Sequence, residues 1–260
     1  MEQKTLREIE KFANASLLKI FFTGSKKVSG ATLFWSDKIV DYFWSYASLI
    51  NTKEPEELIK EVIDFYKLKH RKPTVYVTPW TKPANLKEIL QKQGFKLAYT
   101  DVWMVLQSIN IDVELPSNFE IKEVTTKKDM QTFVEIFHKA YGGATPEEPY
   151  GALPKEYGES FLASFGNKPG AHFIGYFNGK PAATASLALG NKFAGIYSIG
   201  TVPEFRKKGL GAAITKFLAK LALDKNCKVF LATEKGSYNE KFYNKLGFKT
   251  EFTGEGFVLE

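Results

Sequence analysis

The sequence predicts an α+β fold, a mixed α/β sheet built in two similar halves, and three observations predict it. Short apolar runs alternate with segments of helical period along the second half. Asn178-Gly179 sits between two apolar runs, as in a two-residue hairpin. In the first half, "TVYVTPWTKPANLKEILQKQGFKLAYTDVWMVL" resembles "KVFLATEKGSYNEKFYNKLGFKTEFTGEGFVL", with Gly94 and Gly247 aligned at an offset of 153 residues.

The second half reads in order. "FEIKEV" is a strand. "TTKKDMQTFVEIFHKAY" is a helix, with Met130, Phe133, Val134 and Phe137 at helical spacing. A loop rich in Gly, Pro and Glu leads to a second helix, "KEYGESFLASF". "AHFIGYFNGKPAATASLALGN" is the hairpin and "FAGIYSIGTV" the next strand. A long helix follows, with Leu210, Ile214, Phe217, Leu218 and Leu221 on one face. "KVFLAT" is a strand, "NEKFYNKLG" a helix ending at Gly247, and "FKTEFTGEGFVLE" the final strands. In the first half, "YFWSYASLI" falls on the strand "GIYSIGTVP" at the same offset, and "EELIKEVIDFYKLK" on the long helix. "LPSN", Leu115 to Asn118, is the linker, giving halves 1–114 and 119–260.

Composition excludes several classes. Hydrophobic content is 44% and charged content 25%, as in globular proteins. The net charge of +7 comes from lysines interleaved with acids, as in "LREIEK", with no basic stripe carrying aromatics, so nucleic acid is not an expected partner. No apolar run approaches the roughly 18 residues of a membrane span. With one cysteine, Cys227, and a polar start, "MEQKTLREIEKF", the expected location is cytoplasmic. Cys227 precedes a buried strand without a His partner nearby in sequence and reads as core. His70, His138 and His172 lack metal-ligand spacing, so no metal is expected.

The chemistry-bearing stretch is "TVPEFRKKGLGAAITKFLAKLALDKNCKVFLAT". Gly209 and Gly211 let a ligand approach the backbone where a helix opens. The first amides of that helix have no intrahelical partner, and the helix dipole favours an anion there. Arg206, Lys207 and Lys208 add positive charge, which suits a diphosphate. The loop lacks the Gly-Lys-Ser/Thr of a nucleoside-triphosphate loop and the spacing of the dinucleotide fingerprint. The plainer reading is a tight turn before a core helix, with solvated lysines.

With "IGTVPEFRKKGLGAAI" followed by "EKFYNKLGF", the sequence resembles the GCN5-related N-acetyltransferases, the GNAT superfamily, over Phe119 to Glu260. Through the repeat the whole resembles tandem GNAT proteins. The resemblance implies two GNAT-like domains, each a mixed, mostly antiparallel sheet flanked by helices. It also implies an acetyl-CoA-dependent N-acetyltransferase acting on a primary amine of a small molecule or peptide by direct attack in a ternary complex. The loop Arg206, Lys207, Lys208, Gly209, Leu210, Gly211 and Ala212 would bind the pyrophosphate of acetyl-CoA, and the backbone of Ile199, Gly200 and Thr201 the pantetheine arm. Tyr243 would be the general acid for the departing thiolate, since a phenol near pKa 10 matches a thiolate of similar basicity.

Several features depart from that pattern or stay open. The preceding strand "FAGIYSIGTV" carries no glutamate base; Glu234, just after "FLAT", is the candidate, against an exposed loop carboxylate. Ser198 and Tyr197 could instead order water. Asn239, four residues before Tyr243, contacts the pantetheine or is merely exposed. The acceptor loop would use Glu147, Glu148, Tyr141, Tyr150 and Tyr157, against a solvated loop. In the first half the phosphate loop is replaced by "NTKEPEEL", with Glu54, Glu56, Glu57 and no glycine, and Leu90 stands where Tyr243 stands, so that half is expected to be degenerate and without CoA. Two alternatives remain: a non-catalytic acyl-CoA-binding regulatory module, and a Fem-type aminoacyl transferase, which generally lacks this loop.

Overall fold

A computed structural model describes residues 1–18, 20–108, 112–142, 154–166 and 170–260. The elements in chain order are α1 (Gln3–Leu17), β1 (Gly24–Val28), β2 (Ala31–Trp35), β3 (Tyr46–Ser48), α2 (Pro55–Leu68), β4 (Thr74–Val77), α3 (Leu86–Lys92), β5 (Lys96–Leu106), β6 (Phe119–Glu123), α4 (Lys127–Tyr141), α5 (Lys155–Ser164), β7 (Gly170–Phe177), β8 (Lys180–Leu189), β9 (Phe193–Thr201), α6 (Leu210–Leu223), β10 (Lys228–Glu234), α7 (Tyr238–Lys245) and β11 (Phe248–Val258). They form two compact units. The first takes Met1–Met104, Ala232–Lys245 and Lys249–Glu260; the second takes Val105–Leu231 and Leu246–Phe248. The linker drawn from the sequence follows the chain, whereas compactness groups 232–245 and 249–260 with the first hundred residues.

In the first unit the strands lie in the order β1-β2-β3-β4-β11-β5. β1 with β2, β2 with β3, and β4 with β11 pair antiparallel, whereas β3 and β4 meet in parallel at Ala47 and Val75. One core joins Leu33, Ala47, Ile59, Val62, Tyr66, Val75, Leu90 and Phe257, from strands β2, β3, β4 and β11 and helices α2 and α3. Helix α2 carries Leu58, Ile59, Val62 and Tyr66 at helical spacing, and all four are buried. Tyr66 completes its burial by donating its hydroxyl to the Phe34 carbonyl at 2.8 Å. Helix α1 buries polar groups beside Leu6, Ile9 and Ala13: Glu10 is fully buried and accepts from Ser48 Oγ at 2.7 Å and from Trp80 Nε1, while Asn14 Oδ1 accepts from Tyr46 Oη at 2.8 Å. Burial raises the Glu10 carboxyl above its ordinary range, although these donors pull the other way.

In the second unit the order is β10-β9-β8-β7-β6, antiparallel except for β9 with β10. Asn178 and Gly179 both have positive φ, 50° and 73°, as a type I′ hairpin between β7 and β8 requires. Helix α4 opens with a capping box of Thr126 and Asp129. Its Phe133 and Phe137 pack with Phe161 of α5, and Phe133 and Phe161 reach His172 of β7. His172 is buried, its Nδ1 lies 2.8 Å from Ser186 Oγ, and burial lowers its pKa to about 4. Helix α6 buries Leu210, Ile214 and Leu218; each such side chain contributes about 1.5–3 kcal/mol.

Two local expectations differ from the structure. The strand expected over "YFWSYASLI" is confined to Tyr46–Ser48, because Asp41 Oδ1 accepts from the Phe43 amide at 2.9 Å and turns Tyr42–Trp44 into a 3₁₀ turn. The final strands are one strand, β11. Its Gly254 and Gly256 make room rather than turns: a Cβ on Gly254 would lie 1.9 Å from Tyr76 Oη, and one on Gly256 2.1 Å from the Tyr99 ring.

Candidate functional site

Strand β9 and helix α6 of the second unit carry the expected diphosphate loop. Val202 donates its amide to the Ala182 carbonyl at 2.9 Å, and Pro203–Phe205 form a single 3₁₀ turn. The chain then takes the left-handed conformation twice, at Lys207 (φ 62°) and Gly209 (φ 78°), and Gly209 caps α6. Glycine adopts that conformation without steric cost. The first amide of α6 with a helical acceptor is that of Ala213, which donates to the Gly209 carbonyl at 2.9 Å. Leu210, Gly211 and Ala212 precede it, so their amides sit at the open, positive end of a 14-residue helix. Lys207, Lys208 and Gly209 are exposed there. Lys208 Nζ lies 5.7 Å from the Phe177 ring centre, a contact of about 0.5–1 kcal/mol at an exposed site.

Arg206 occupies a different position from its lysine neighbours. It is half-buried, with Nε donating to the Thr201 carbonyl at 3.1 Å and Nη2 to the Ala140 carbonyl at 3.0 Å. Part of its guanidinium therefore ties the loop to the C-terminal end of α4. Sequence reasoning assigned it to the ligand; the arginine fork also suits carbonyls at a helix end, and nothing in the local sequence separates the two uses.

Strand β9 is bent where the loop begins. Its parallel register with β10 covers Phe193–Gly195 against Lys228–Phe230, and Ile196–Thr201 run on beyond that register. On the β8 side the register shifts between Thr184 and Ser186, and Ser198 takes a positive φ of 54°, a bulge. The bulge re-aims the backbone of Ile199 and Gly200. Thr184 Oγ1 donates to the Ser198 carbonyl at 3.0 Å, and Tyr141 Oη to the Ile199 carbonyl at 2.7 Å. Gly200 is required by packing: a Cβ there would lie 2.7 Å from Ala140 Cβ and 2.9 Å from the Tyr141 ring. Tyr141, expected to border an acceptor, thus braces the bulge. Tyr157 is buried in α5, and Glu147, Glu148 and Tyr150 lie outside the described residues.

Tyr243, Glu234 and Asn239 belong to the first unit. Helix α7 starts at a turn fixed by Ser237, whose Oγ accepts from the Glu240 amide at 3.2 Å and donates to the Glu234 carbonyl at 2.7 Å. Glu240 Oε2 reciprocates by accepting from the Gly236 amide at 2.7 Å. "GSYNEK" folds this way because Gly236 supplies positive φ, 77°, and Ser-x-x-Glu caps the helix. Tyr243 is buried, its ring 5.1 Å from that of Phe242, and it shares a face with half-buried Asn239. Glu234 is exposed at the end of β10. Cys227 is buried, donates Sγ to the Gly190 carbonyl at 3.2 Å, and burial raises its thiol. Among the described residues no group of three or more His, Cys, Asp or Glu is arranged to hold a metal, and no helix is long and apolar enough to cross a membrane.

Comparison with known proteins bears on the same segment. The model of the acetyltransferase (GNAT) family matches residues 130–248. The match lies in the second half of the chain and spans less than half of its length. The structure is similar to that of a GCN5-related N-acetyltransferase from Kribbella flavida, at 17% identity and a TM-score of 0.68, covering 95% of this chain and 93% of that one. A GCN5-related N-acetyltransferase from Sphaerobacter thermophilus is similar at 12% identity and TM-score 0.63, covering 90% and 82%. A tandem GNAT protein from the clavulanic acid biosynthesis pathway is similar at 12% identity and TM-score 0.62, covering 90% and 79%. At these identities the likeness is one of fold, the mixed, mostly antiparallel GNAT sheet flanked by helices. No curated protein matches the sequence.

Proposed function

We propose that the chain is an acetyl-CoA-dependent N-acetyltransferase that acts on a primary amine of a small molecule or peptide by direct attack in a ternary complex. The observation that carries the reading is the opening of α6. Left-handed Gly209, the amides of Leu210, Gly211 and Ala212 ahead of the first helical bond, and exposed Lys207 and Lys208 fit a diphosphate. Acetyl-CoA would supply the activated acetyl thioester. The bulged backbone at Ile199, Gly200 and Thr201 would receive the pantetheine arm, with an amide near Gly200 polarising the thioester carbonyl. Asn239 is assigned to the same arm. Tyr243 is the general acid that protonates the departing thiolate, and Glu234 the carboxylate that takes the amine's proton. Arg206 keeps the loop in shape from the side of α4. The first half, with Pro55 and three glutamates where the loop would be, is a degenerate GNAT-like domain, 1–114, that binds no CoA beside the catalytic 119–260.

The test is calorimetry with CoA on Gly209→Glu. A side chain and a negative charge at the cap should abolish measurable affinity while circular dichroism stays unchanged. Unchanged affinity would reject the loop as the cofactor site. CoA binding by the wild type with no thiol release across an amine panel would favour the regulatory-module reading.

A further inference from the structure

Strand β5 contains a carboxylate where its pattern calls for none. Tyr99, Asp101 and Trp103 alternate onto one face of the strand. Trp103 Nε1 donates to Tyr76 Oη at 2.7 Å, which commits the Tyr76 hydroxyl proton to Asp101 Oδ2 at 3.2 Å. That is the only hydrogen bond to Asp101 among the described residues. Among the described residues its Oδ1 has no hydrogen-bond partner, and no Lys, Arg or His pairs with it. Asp101 is half-buried, and an ionised carboxylate partly withdrawn from water without a cation is costly.

Around it lies a layer of rings. The Tyr99 ring centre is 4.4 Å from that of Phe43, 5.9 Å from Tyr42 and 6.0 Å from Tyr76. Phe43 is 38% exposed and Tyr42 and Tyr99 are half-buried, so this side of the cluster opens to solvent. The hydroxyls of Tyr42 and Tyr99 make no hydrogen bond among the described residues. The rings of Tyr76 and Tyr99 cover β11 only because Gly254 and Gly256 leave that face bare. Two strand-interior glycines cost roughly 0.5–1 kcal/mol each relative to alanine, so the strand gives up stability to hold these rings beside Asp101.

We propose that this cluster binds a small organic ammonium ion, its charge taken by the Asp101 carboxylate and its carbon skeleton by the rings of Tyr42, Phe43 and Tyr99. Ammonium over aromatic faces, with one carboxylate behind, satisfies both kinds of group. The charged and titratable groups that face the cluster do not compete for the carboxylate: Tyr46 on β3, Tyr76 on β4, Asp41 and Tyr42 at the 3₁₀ turn, and Glu234 on β10, which the Lys235 amide fixes to the Thr100 carbonyl at 2.9 Å. Burial, helped by the Glu234 charge, pushes the Asp101 carboxyl up to about 7. A bound cation favours the ionised form, so affinity should rise with pH through that value. An ammonium is also the acceptor class the acyl-transfer reading requires, but the site is argued from the first unit alone.

The experiment is calorimetry on the full chain without acetyl-CoA, so that its failure is separate from failure of acyl transfer. The probes are methylammonium, tetramethylammonium and phenethylammonium chlorides, with neutral N-acetylphenethylamine as control. One-site saturable binding of at least one cation is expected, weakened at least tenfold by Asp101→Asn, an isostere that still accepts from Tyr76. In the wild type, affinity should fall about tenfold from pH 8 to pH 6 as the carboxyl protonates, a range in which methylammonium and phenethylammonium stay charged. No binding up to about 10 mM, where Kd-scale affinity is negligible, overturns the proposal. So does equal binding of the neutral control, or undiminished binding by a folded Asp101→Asn. Should that variant misfold, the wild-type pH series decides, and a flat profile rejects the site.

Discussion

The turn from β3 into α2 and the turn from β9 into α6 occupy the same place in two strand–helix–strand–helix runs, yet their backbones are used in opposite ways. After β3 the chain stays zipped: Lys82 donates its amide to the Ile50 carbonyl at 3.1 Å, Thr52 to the Lys82 carbonyl at 3.2 Å, and Asn51 to the Gly30 carbonyl at 2.7 Å. Helix α2 then opens on Pro55, which has no amide hydrogen, with Glu56 and Glu57 in its first turn. After β9 the register with β10 stops at Gly195, a bulge bends the strand at Ser198, and α6 opens on left-handed Gly209 with free amides and lysines. Glycine and unspent amides, the two features an anion site needs, coincide only at the second turn. A strand end closed by hydrogen bonds and a proline-led, acidic helix start have neither.

The largest expected effect lies on the helix that follows. Tyr243 of α7 corresponds to Leu90 of α3, which is fully buried in its own core. Tyr243→Phe keeps the ring and removes the proton donor, so turnover should fall by about 10²–10⁴ while CoA affinity is unchanged. Normal turnover would make the tyrosine as structural as Leu90.

The units should next separate in their response to acid. In the second unit His172 has a folded pKa of about 4, below the ordinary 6.5. Below pH 6.5 the unfolded chain takes up the proton and the folded one does not, so stability is lost as pH falls from about 6.5 to about 4. The full loss is on the order of 3 kcal/mol. In the first unit Glu10 and Asp101 have raised pKa values and act in the reverse sense, losing stability as pH rises above the ordinary carboxylate range. Urea titrations across pH 4–7, with His172→Gln to remove the first slope, measure this. An unchanged slope in that variant would refute the assignment.

The smallest expected effect is none at all. CoA titration should give one molecule per chain, and Glu54→Gln should leave affinity where it was. Two equivalents per chain would show that the closed turn after β3 does bind the cofactor.

Much of this architecture was legible because the strong signals were local. Asn178-Gly179 specifies its hairpin, Gly94 and Gly247 end their helices with φ near 90°, and Met130, Phe133 and Phe137 mark the buried face of α4. What stayed hidden depended on distant partners. The role of Gly254 and Gly256 is set by Tyr76 and Tyr99 on other strands, and nothing beside them in the sequence shows it. Gly200 reads as ligand-facing, but α4 crossing at Ala140 also demands it. The signal for Asp101 is confined to "YTDVW", a carboxylate two residues from both a Tyr and a Trp, and its meaning depends on Tyr76 of another strand.

The return of β11 to the first unit also bears on how the protein is made. Val258 pairs with Thr74, and Phe257 joins a core otherwise built from β2, β3, β4, α2 and α3. During synthesis β4 emerges on the order of ten seconds before its neighbour β11, at ordinary elongation rates. For that interval the nascent chain carries an unpaired strand edge and an unfilled core, the state most exposed to wrong pairing. Pairing so far apart in sequence is also slow to form. A ribosome that pauses within 119–231 would prolong that exposure, so the residues that finish the first unit also set when it becomes safe from aggregation.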